Sequence, residues 1–275
     1  MSALQSIILG LVQGLSEFLP ISSSGHLILV PLITGWADQG LTFDVAVHIG
    51  SLGAVLLYFR KDLFDMPKGA GDWSEPGLLT HPGRHLIALI AVGTIPIIFG
   101  GIAIKLLVGT ENLRNAWVVG CTSIFFGSAL YIADKIGGRE RSITQMGFKD
   151  ALVIGCAQIL ALIPGTSRSG VTMTAARLLG LQRAEAARFS FLLSIPAILA
   201  AGSLVTLEVM GGEGEGLGAS AILGLIAAFL SAWAAIAFLM NWLREKSFTP
   251  FVIYRLLLGV ALLTYAYMSS GAAGS

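Results

Sequence analysis

Two short polar segments interrupt apolar sequence and carry the residues that could perform chemistry. The first, QGLSEFLPISSSGH at 13–26, brings Gln13 and Glu17 together at a spacing of four residues. Residues four apart lie on one face of a helix, so the amide and the carboxylate can reach the same cation or water. The second segment, PGTSRSG at 164–170, places Arg168 between two serines. A carboxylate, an arginine and several hydroxyls suit phosphoryl chemistry on a lipid headgroup.

Both segments also predict the start of a helix that could bind an anion. Gly25 and His26 follow three serines at the first segment, and Gly170 follows Ser169 at the second. Helix N-termini expose unpaired N–H groups and the positive end of the helix dipole, which suits a phosphate. Together with the planar guanidinium of Arg168, two such termini would form an anion cradle.

The composition shows where these residues must lie. Of 275 residues, 55% are hydrophobic and only 12% are charged, about half the charged fraction of a typical soluble domain. Long apolar stretches predict transmembrane helices, since roughly 20 apolar residues cross the hydrocarbon core of a bilayer. We predict six of them, at residues 43–60, 86–108, 115–134, 185–209, 218–242 and 250–268. This is an all-α polytopic membrane protein forming a single integral membrane domain over residues 1–275.

The two polar segments themselves predict re-entrant hairpins. Residues 3–33 are too long for one straight span, and Pro20 with the following serines divides them into two half-length helices. The second segment aligns with the first at a constant offset. The identical pairs are Gly10/Gly155, Gln13/Gln158, Leu15/Leu160, Ser22/Ser167, Ser24/Ser169 and Gly25/Gly170. Such paired, interrupted helices predict an internal repeat, about 1–135 and about 150–270, with its site near the bilayer midplane.

The basic residues predict the orientation of the chain. Most of the 17 lysines and arginines fall on one predicted face, and only Lys105 and Arg114 fall on the opposite one. The basic face is therefore predicted to be cytoplasmic, with both termini and the acidic loop 211–218 outside. Each half would contain one hairpin and three spans, so the second half is predicted to be inverted relative to the first.

Structural explanations compete with the functional ones. Glu17 and Arg168 could form only an ion pair that holds the two hairpins together. His26 could cap its helix or bond a backbone carbonyl, and Ser22 and Ser24 could be ordinary N-caps. Arg255 is expected to extend from the end of its span toward water. We expect Cys121 and Cys156 to be small buried hydrophobic residues, and His48 has no evident partner.

The two motifs, with FSFLLSIP and SFTPFVIYR further along the chain, resemble the bacterial undecaprenyl-diphosphate phosphatase family, also called the bacitracin-resistance protein family. The resemblance covers residues 5–268. It implies hydrolysis of the C55 lipid diphosphate to its monophosphate in the bacterial inner membrane, which supports cell-wall synthesis and bacitracin resistance. It assigns Gln13 and Glu17 to the first motif, Ser23 and His26 to its tip, and Ser167, Arg168 and Thr172 to the second motif.

From these assignments we predict roles for the site residues. The predicted catalytic residues are Glu17, Ser23 as nucleophile, His26 as acid or base, and Arg168. The predicted substrate-binding residues are Gln13, Ser24, Gly25, Ser167, Ser169, Gly170 and Thr172. A divalent cation, Mg²⁺ or Ca²⁺, is expected on Glu17 and Gln13. Direct attack by water, with Glu17 as base, is an alternative to the Ser23 nucleophile.

Two other functions share features with these residues. The type 2 phosphatidic acid phosphatases also carry an SGH triplet, but they need a later histidine, and this chain has none after His85. Inverted repeats with broken helices are also a transporter architecture, so a flippase of prenyl-phosphate lipids is the alternative function. No nucleic-acid partner is expected, and a homodimer is left open.

Overall fold

The computed structural model describes residues 1–37, 39–68, 81–107, 113, 115–208 and 218–272. This part of the chain is helical, without a β-strand. The helices are α1 (Ala3–Phe18), α2 (Ser23–Thr34), α3 (Leu41–Tyr58), α4 (Arg60–Lys68), α5 (Pro82–Leu107), α6 (Ala116–Ile136), α7 (Phe148–Ile159), α8 (Arg168–Leu178), α9 (Arg183–Glu208), α10 (Ala219–Trp242) and α11 (Thr249–Ala272).

The long helices confirm the prediction of a polytopic membrane protein. By length and composition, α5, α6, α9, α10 and α11 could each cross a membrane. The remaining predicted span, residues 43–60, corresponds to α3, and the chain bends by 70° between α3 and α4. The predicted external loop at 211–218 and Arg114 lie outside the described residues, apart from Gly218. The inverted orientation of the two repeats stays a prediction.

Each polar segment breaks its helix as the sequence predicts. Helix α1 ends at Phe18, because Leu19 precedes a proline and adopts an extended conformation (φ −66°, ψ 143°). Helix α7 ends at Ile159 and continues only as a single 3₁₀ turn, Leu160–Leu162. The chain then enters α2 and α8 through Ser22 (φ 76°) and Ser167 (φ 71°). Positive φ is uncommon for residues other than glycine, so the aligned serines share an unusual backbone conformation.

Close packing fixes the helix that carries Glu17. Helix α1 lies against α10 at Gly14, where a Cβ atom would lie 2.1 Å from Ser231 Oγ. Small residues let membrane helices approach this closely. At the end of α1, the fully buried ring of Phe18 packs edge-on against Phe191 of α9, with ring centroids 5.3 Å apart. The position of the Glu17 backbone is therefore set from two sides.

The structure corrects two expectations about side-chain burial. Cys121 and Cys156 are exposed on the outer surface of the helices rather than buried. This surface carries many large apolar side chains, such as Phe125 and Leu152, as expected where lipid replaces water. Arg255 does not extend toward water, because it is completely buried (0% exposed) among the helices. Apolar sequence alone cannot distinguish a face toward lipid from a face toward protein.

Candidate active site

The first tip is residues 17–26, where α1 gives way to α2, and the second tip is residues 163–170, where the chain enters α8. The two tips meet at a cavity of about 320 Å³. Its polar wall comes from the tips and from α3, and its apolar wall comes from α3, α5, α9 and the 3₁₀ turn. The polar residues are Glu17, Ser22, Ser23, Ser24, Asp44, His48, Ser167 and Arg168; the others are Val45, Ile97, Ala161, Leu162, Ala197, Ile198, Ala201 and Gly202. The cavity can therefore hold a molecule with a charged head and an apolar tail.

Glu17 is the centre of the polar wall. Its Oε1 accepts a hydrogen bond from Arg168 Nη2 at 2.9 Å. Its Oε2 accepts hydrogen bonds from Gln13 Nε2 at 3.0 Å and from Ser23 Oγ at 2.7 Å. The contact between Glu17 and Arg168, which are 151 residues apart in sequence, shows that the tips meet. The Ser23–Glu17 hydrogen bond gives the hydroxyl a proton acceptor within reach, as nucleophile activation requires.

Arg168 has donor capacity that Glu17 does not use. Its Nη2 bonds Glu17, whereas its Nη1 is buried and has no hydrogen-bond partner among the described residues. The side chain lines the cavity and is 15% exposed. A guanidinium can present two parallel N–H groups to a phosphate or carboxylate. The guanidinium of Arg168 as a whole therefore suits a phosphate that enters the cavity beside Glu17.

The aligned serines cap the two half-helices in the same way. Ser22 Oγ accepts a hydrogen bond from the Gly25 amide at 3.4 Å, and Ser167 Oγ accepts one from the Gly170 amide at 3.1 Å. This confirms the N-cap explanation for Ser22, whereas Ser24 lies in the first turn of α2. Because the caps use the glycine amides, residues 23–24 and 168–169 are expected to supply the amides for an anion.

Three predicted substrate-binding residues support the second tip without lining the cavity. Ser169 Oγ donates to the Leu19 carbonyl at 3.1 Å and so joins the tips. Thr172 Oγ1 bonds the Arg168 carbonyl at 2.8 Å and Ser190 Oγ at 2.6 Å. Gly170 belongs to the first turn of α8. Gly25 and the buried Gln13 likewise lie outside the cavity lining. The roles of all five in binding substrate stay predictions.

His26 is held on the far side of its half-helix. Its Nδ1 lies 2.6 Å from the Ser22 carbonyl oxygen, and its Nε2 contacts the Tyr254 hydroxyl. The His26 and Tyr254 rings stack with an interplanar angle of 8°. His26 is absent from the cavity lining, so the structure does not bring it to Ser23. Its predicted acid or base role would require the ring to turn, and it stays a prediction.

His48 is the cavity residue that the sequence left unassigned. Its Nε2 lies 3.8 Å from Glu17 Oε2, and its Nδ1 lies 2.7 Å from the Asp44 carbonyl oxygen. A carbonyl only accepts hydrogen bonds, so Nδ1 is the donor, and in the neutral ring Nε2 faces Glu17 as an acceptor. Its occurrence with Asp44 inside an apolar span was the available signal, because ionisable residues in spans usually face a functional cavity.

Comparisons with known proteins show the family to which the chain belongs. The family described as Bacitracin resistance protein BacA matches residues 6–261, which include both tips. The chain belongs to this family. An Undecaprenyl-diphosphatase of Hahella chejuensis is 50% identical over 98% of this chain and 100% of its own length. Proteins of the same name from Alcanivorax borkumensis (48% identical; 94% of this chain, 97% of its own) and Roseobacter denitrificans (45%; 97% and 100%) are also similar.

The residues around Glu17 fit a cation only if the substrate also supplies ligands. Among the described residues, no group of three or more histidines, cysteines, aspartates and glutamates could hold a metal ion. Gln13 Oε1, however, is a buried acceptor without a partner among those residues. Mg²⁺ is commonly bound by one or two carboxylates together with substrate phosphates. Glu17, which lines the cavity, therefore supplies one carboxylate for a cation that arrives with a diphosphate, whereas Gln13 lies outside the lining and its part as a ligand stays a prediction.

Proposed function

We propose that the protein hydrolyses undecaprenyl diphosphate to undecaprenyl phosphate and inorganic phosphate. The observation that carries the proposal is that Arg168, whose Nη1 has no hydrogen-bond partner among the described residues, lines the same cavity as the hydrogen-bonded Ser23–Glu17 pair. The apolar residues of the cavity can accept the first units of a prenyl chain. Relatives named Undecaprenyl-diphosphatase, similar over nearly their whole length, support this choice of substrate.

In the proposed first step, Ser23 Oγ attacks the terminal phosphorus while its proton passes to Glu17 Oε2. The bond from that phosphorus to the bridging oxygen breaks, and undecaprenyl phosphate leaves with the electron pair. Water then attacks the phosphoserine and passes one of its protons to a phosphate oxygen. Glu17 returns the proton it took to Ser23 Oγ as the bond from Ser23 to phosphorus breaks, which releases inorganic phosphate and restores the Ser23 hydroxyl. Arg168 stabilises the charge that develops on the transferred group. In the alternative, water bonded to Glu17 attacks directly and Ser23 only orients the phosphate.

A divalent cation, Mg²⁺ or Ca²⁺, is part of the proposal. Glu17 and Gln13 Oε1 would hold it together with substrate oxygens, and when bound it would neutralise phosphate charge. His48, which lies in the cavity, would supply a proton to the leaving oxygen only with its Nε2 protonated, and His26 would do so only after its ring turns. The position of His48 beside Glu17 favours His48.

The proposal includes the setting of the enzyme. Its substrate would lie in the bacterial inner membrane, with the diphosphate reaching the cavity from the outer side. Both termini would lie outside, and the chain could act as a homodimer. The orientation is supported by the distribution of lysines and arginines along the sequence.

The experiment is phosphate release by purified protein in detergent. Undecaprenyl diphosphate is supplied with Mg²⁺ or Ca²⁺, and the lipid product is identified as the monophosphate. Failure to release phosphate with either cation would contradict the phosphatase. It would favour the second candidate, a flippase of prenyl-phosphate lipids, because two broken helices that meet at a cavity also suit transport. A flippase would transfer prenyl-phosphate lipid from one leaflet to the other, which is measured in sealed vesicles, and it would release no phosphate.

A further inference from the structure

Arg255 in α11 is a buried cation without an ionic partner. Its side chain is 0% exposed, and no carboxylate of the described residues lies within ion-pairing distance of it. Its Nε and Nη1 also lack hydrogen-bond partners among these residues. Burying an unpaired charge inside a membrane protein is costly, and such residues usually serve a function. The proposed mechanism leaves Arg255 without a role.

The contacts of Arg255 connect it to the second tip. Its Nη2 donates to the carbonyl oxygens of Gly165 and Thr166, each at 2.9 Å. These two residues directly precede Ser167, the N-cap of α8. Arg255 does not line the cavity, so the guanidinium holds the carbonyls of the tip from behind. The tip then presents Ser167 and Arg168 to the cavity.

The neighbouring helices make room for this guanidinium. A Cβ at Gly170 would lie 2.9 Å from Arg255 Nη1, and a Cβ at Gly127 of α6 would lie 3.2 Å from Arg255 Cβ. The charged group therefore lies directly against the first turn of α8. Its positive charge adds to the positive end of the α8 dipole, which faces the expected anion.

The balance of charge at the tips gives Arg255 a second effect. Glu17 and Arg168 pair at 2.9 Å and neutralise each other. A guanidinium stays protonated in proteins, so Arg255 adds a positive charge behind the second tip, on the side away from the Asp44 carboxylate of α3. Away from water this charge is weakly screened and attracts an anion that it does not touch.

We propose that Arg255 is a positioning residue for the diphosphate, acting through the second tip. Its guanidinium holds the carbonyls of Gly165 and Thr166 away from the ligand and adds a positive charge behind the second tip. This inference rests on the proposed function, because the anion is taken to be the substrate diphosphate. The charge should affect ligand affinity, whereas the two-carbonyl contact should affect turnover.

The test compares Arg255→Met, Arg255→Lys and a control, Arg177→Met, in full-length protein. Arg177 is also fully buried, but it lies at the opposite end of α8 and pairs with Asp134. The probe is a non-hydrolysable prenyl methylenediphosphonate, whose Kd is measured by calorimetry. KM and kcat are measured with a short-chain prenyl diphosphate. Size-exclusion chromatography and thermal melting establish which variants fold.

We expect Arg255→Met to weaken probe binding on the order of tenfold and to lower kcat/KM about 100-fold. Arg255→Lys should keep the probe Kd within about threefold, since the charge remains, yet lower kcat about tenfold, since an ammonium lacks the planar fork. Arg177→Met should lower the Tm without changing Kd or kcat.

A folded Arg255→Met protein with native Kd would overturn the proposal, and so would equal weakening by the Arg177→Met control. If Arg255→Met does not fold, Arg255→Lys provides the test. Loss of probe binding in Arg255→Lys, or a kcat equal to that of the native protein, would each contradict the proposed role of Arg255. Native protein that neither binds the probe nor releases phosphate would instead contradict the proposed function. The two failures are therefore distinguishable.

Discussion

At the scale of single residues, the hydrogen bond from Ser23 Oγ to Glu17 Oε2 decides how the reaction can begin. It makes Ser23 the first candidate for nucleophile, and it leaves water activated by Glu17 as the alternative. Ser23→Ala separates them. If Ser23 is the nucleophile, kcat should fall by about two to three orders of magnitude or more, because an essential group is lost. Thermal melting of the variant should stay near native.

The measurement is turnover together with rapid chemical quenching of substrate labelled on the terminal phosphate. Native protein should carry label on Ser23 during turnover, and Ser23→Ala should carry none. Ser24→Ala is the matched control, since Ser24 lines the same cavity but bonds Ser22 rather than Glu17. Near-native turnover in Ser23→Ala would establish the direct attack by water.

The pair formed by Glu17 and Arg168 is open to a structural explanation that a double substitution can test. Removing one partner leaves a buried unpaired charge, whereas removing both often costs little stability. Glu17→Gln with Arg168→Met should therefore fold and insert normally. We expect it to lose about two to three orders of magnitude in kcat/KM, the scale of one charge-stabilising group. Phosphate release at a near-native rate by the folded double variant would reduce the pair to a structural contact.

Dependence on a divalent cation also belongs to the residue scale. Glu17 and a bound diphosphate carry like charges, which a cation between them would compensate. Excess chelator should abolish phosphate release, and Mg²⁺ or Ca²⁺ should restore it. Gln13→Leu removes the orphaned Oε1 and should raise the cation concentration needed for half-maximal activity. Full activity in excess chelator would leave Glu17 as a base only.

At the scale of elements, the contact between α1 and α10 holds Glu17 in place. A methyl group at Gly14 would meet Ser231 Oγ at 2.1 Å and the Ala228 carbonyl oxygen at 2.3 Å, so the helices must separate. Overpacking of this kind typically costs 1–3 kcal/mol, and Gly14→Ala should lower the free energy of unfolding by about that amount. Because α1 carries Glu17, activity should fall as well.

Gly101→Ala in α5 is the control for this packing prediction. Nothing lies within 4 Å of a Cβ built there, so the same substitution should leave the Tm and activity close to native. Thermal melting and phosphate release are measured on both variants in one detergent. Equal melting temperatures for Gly14→Ala and Gly101→Ala would show that α1 and α10 do not pack as closely as described.

At the scale of the whole molecule, the orientation of the helices across the bilayer can be tested directly. The distribution of lysines and arginines predicts that the N-terminus lies outside and that Arg139 lies in the cytoplasm. Single cysteines replace Ser2 or Arg139 in a chain with Cys121→Ala and Cys156→Ala. A membrane-impermeant thiol reagent applied to intact cells should label the cysteine at position 2 but not the one at position 139. After the cells are permeabilised, the same reagent should label the cysteine at position 139 as well. Labelling of both positions in intact cells would contradict the inverted repeat.

The sequence by itself determined the features that depend on composition and local backbone chemistry. Apolar length predicted the long helices, since a bilayer of fixed thickness requires it. Proline followed by serines predicted where α1 stops and α2 starts, and the aligned segment predicted the same break before α8. The sequence also predicted that Glu17 and Arg168 belong together, because a lone charge of either sign is costly inside a membrane.

Only the tertiary structure decided which side chains share the cavity and which are held away from it. His48 reaches Glu17 because α3 packs beside the first tip, whereas His26, only nine residues after Glu17, turns toward Tyr254 of α11. Arg255 is buried rather than exposed because α11 packs behind the second tip. These outcomes depend on contacts between residues far apart in the chain. Hydropathy and spacing describe neighbours along one helix, so they could not specify which face each helix turns to another.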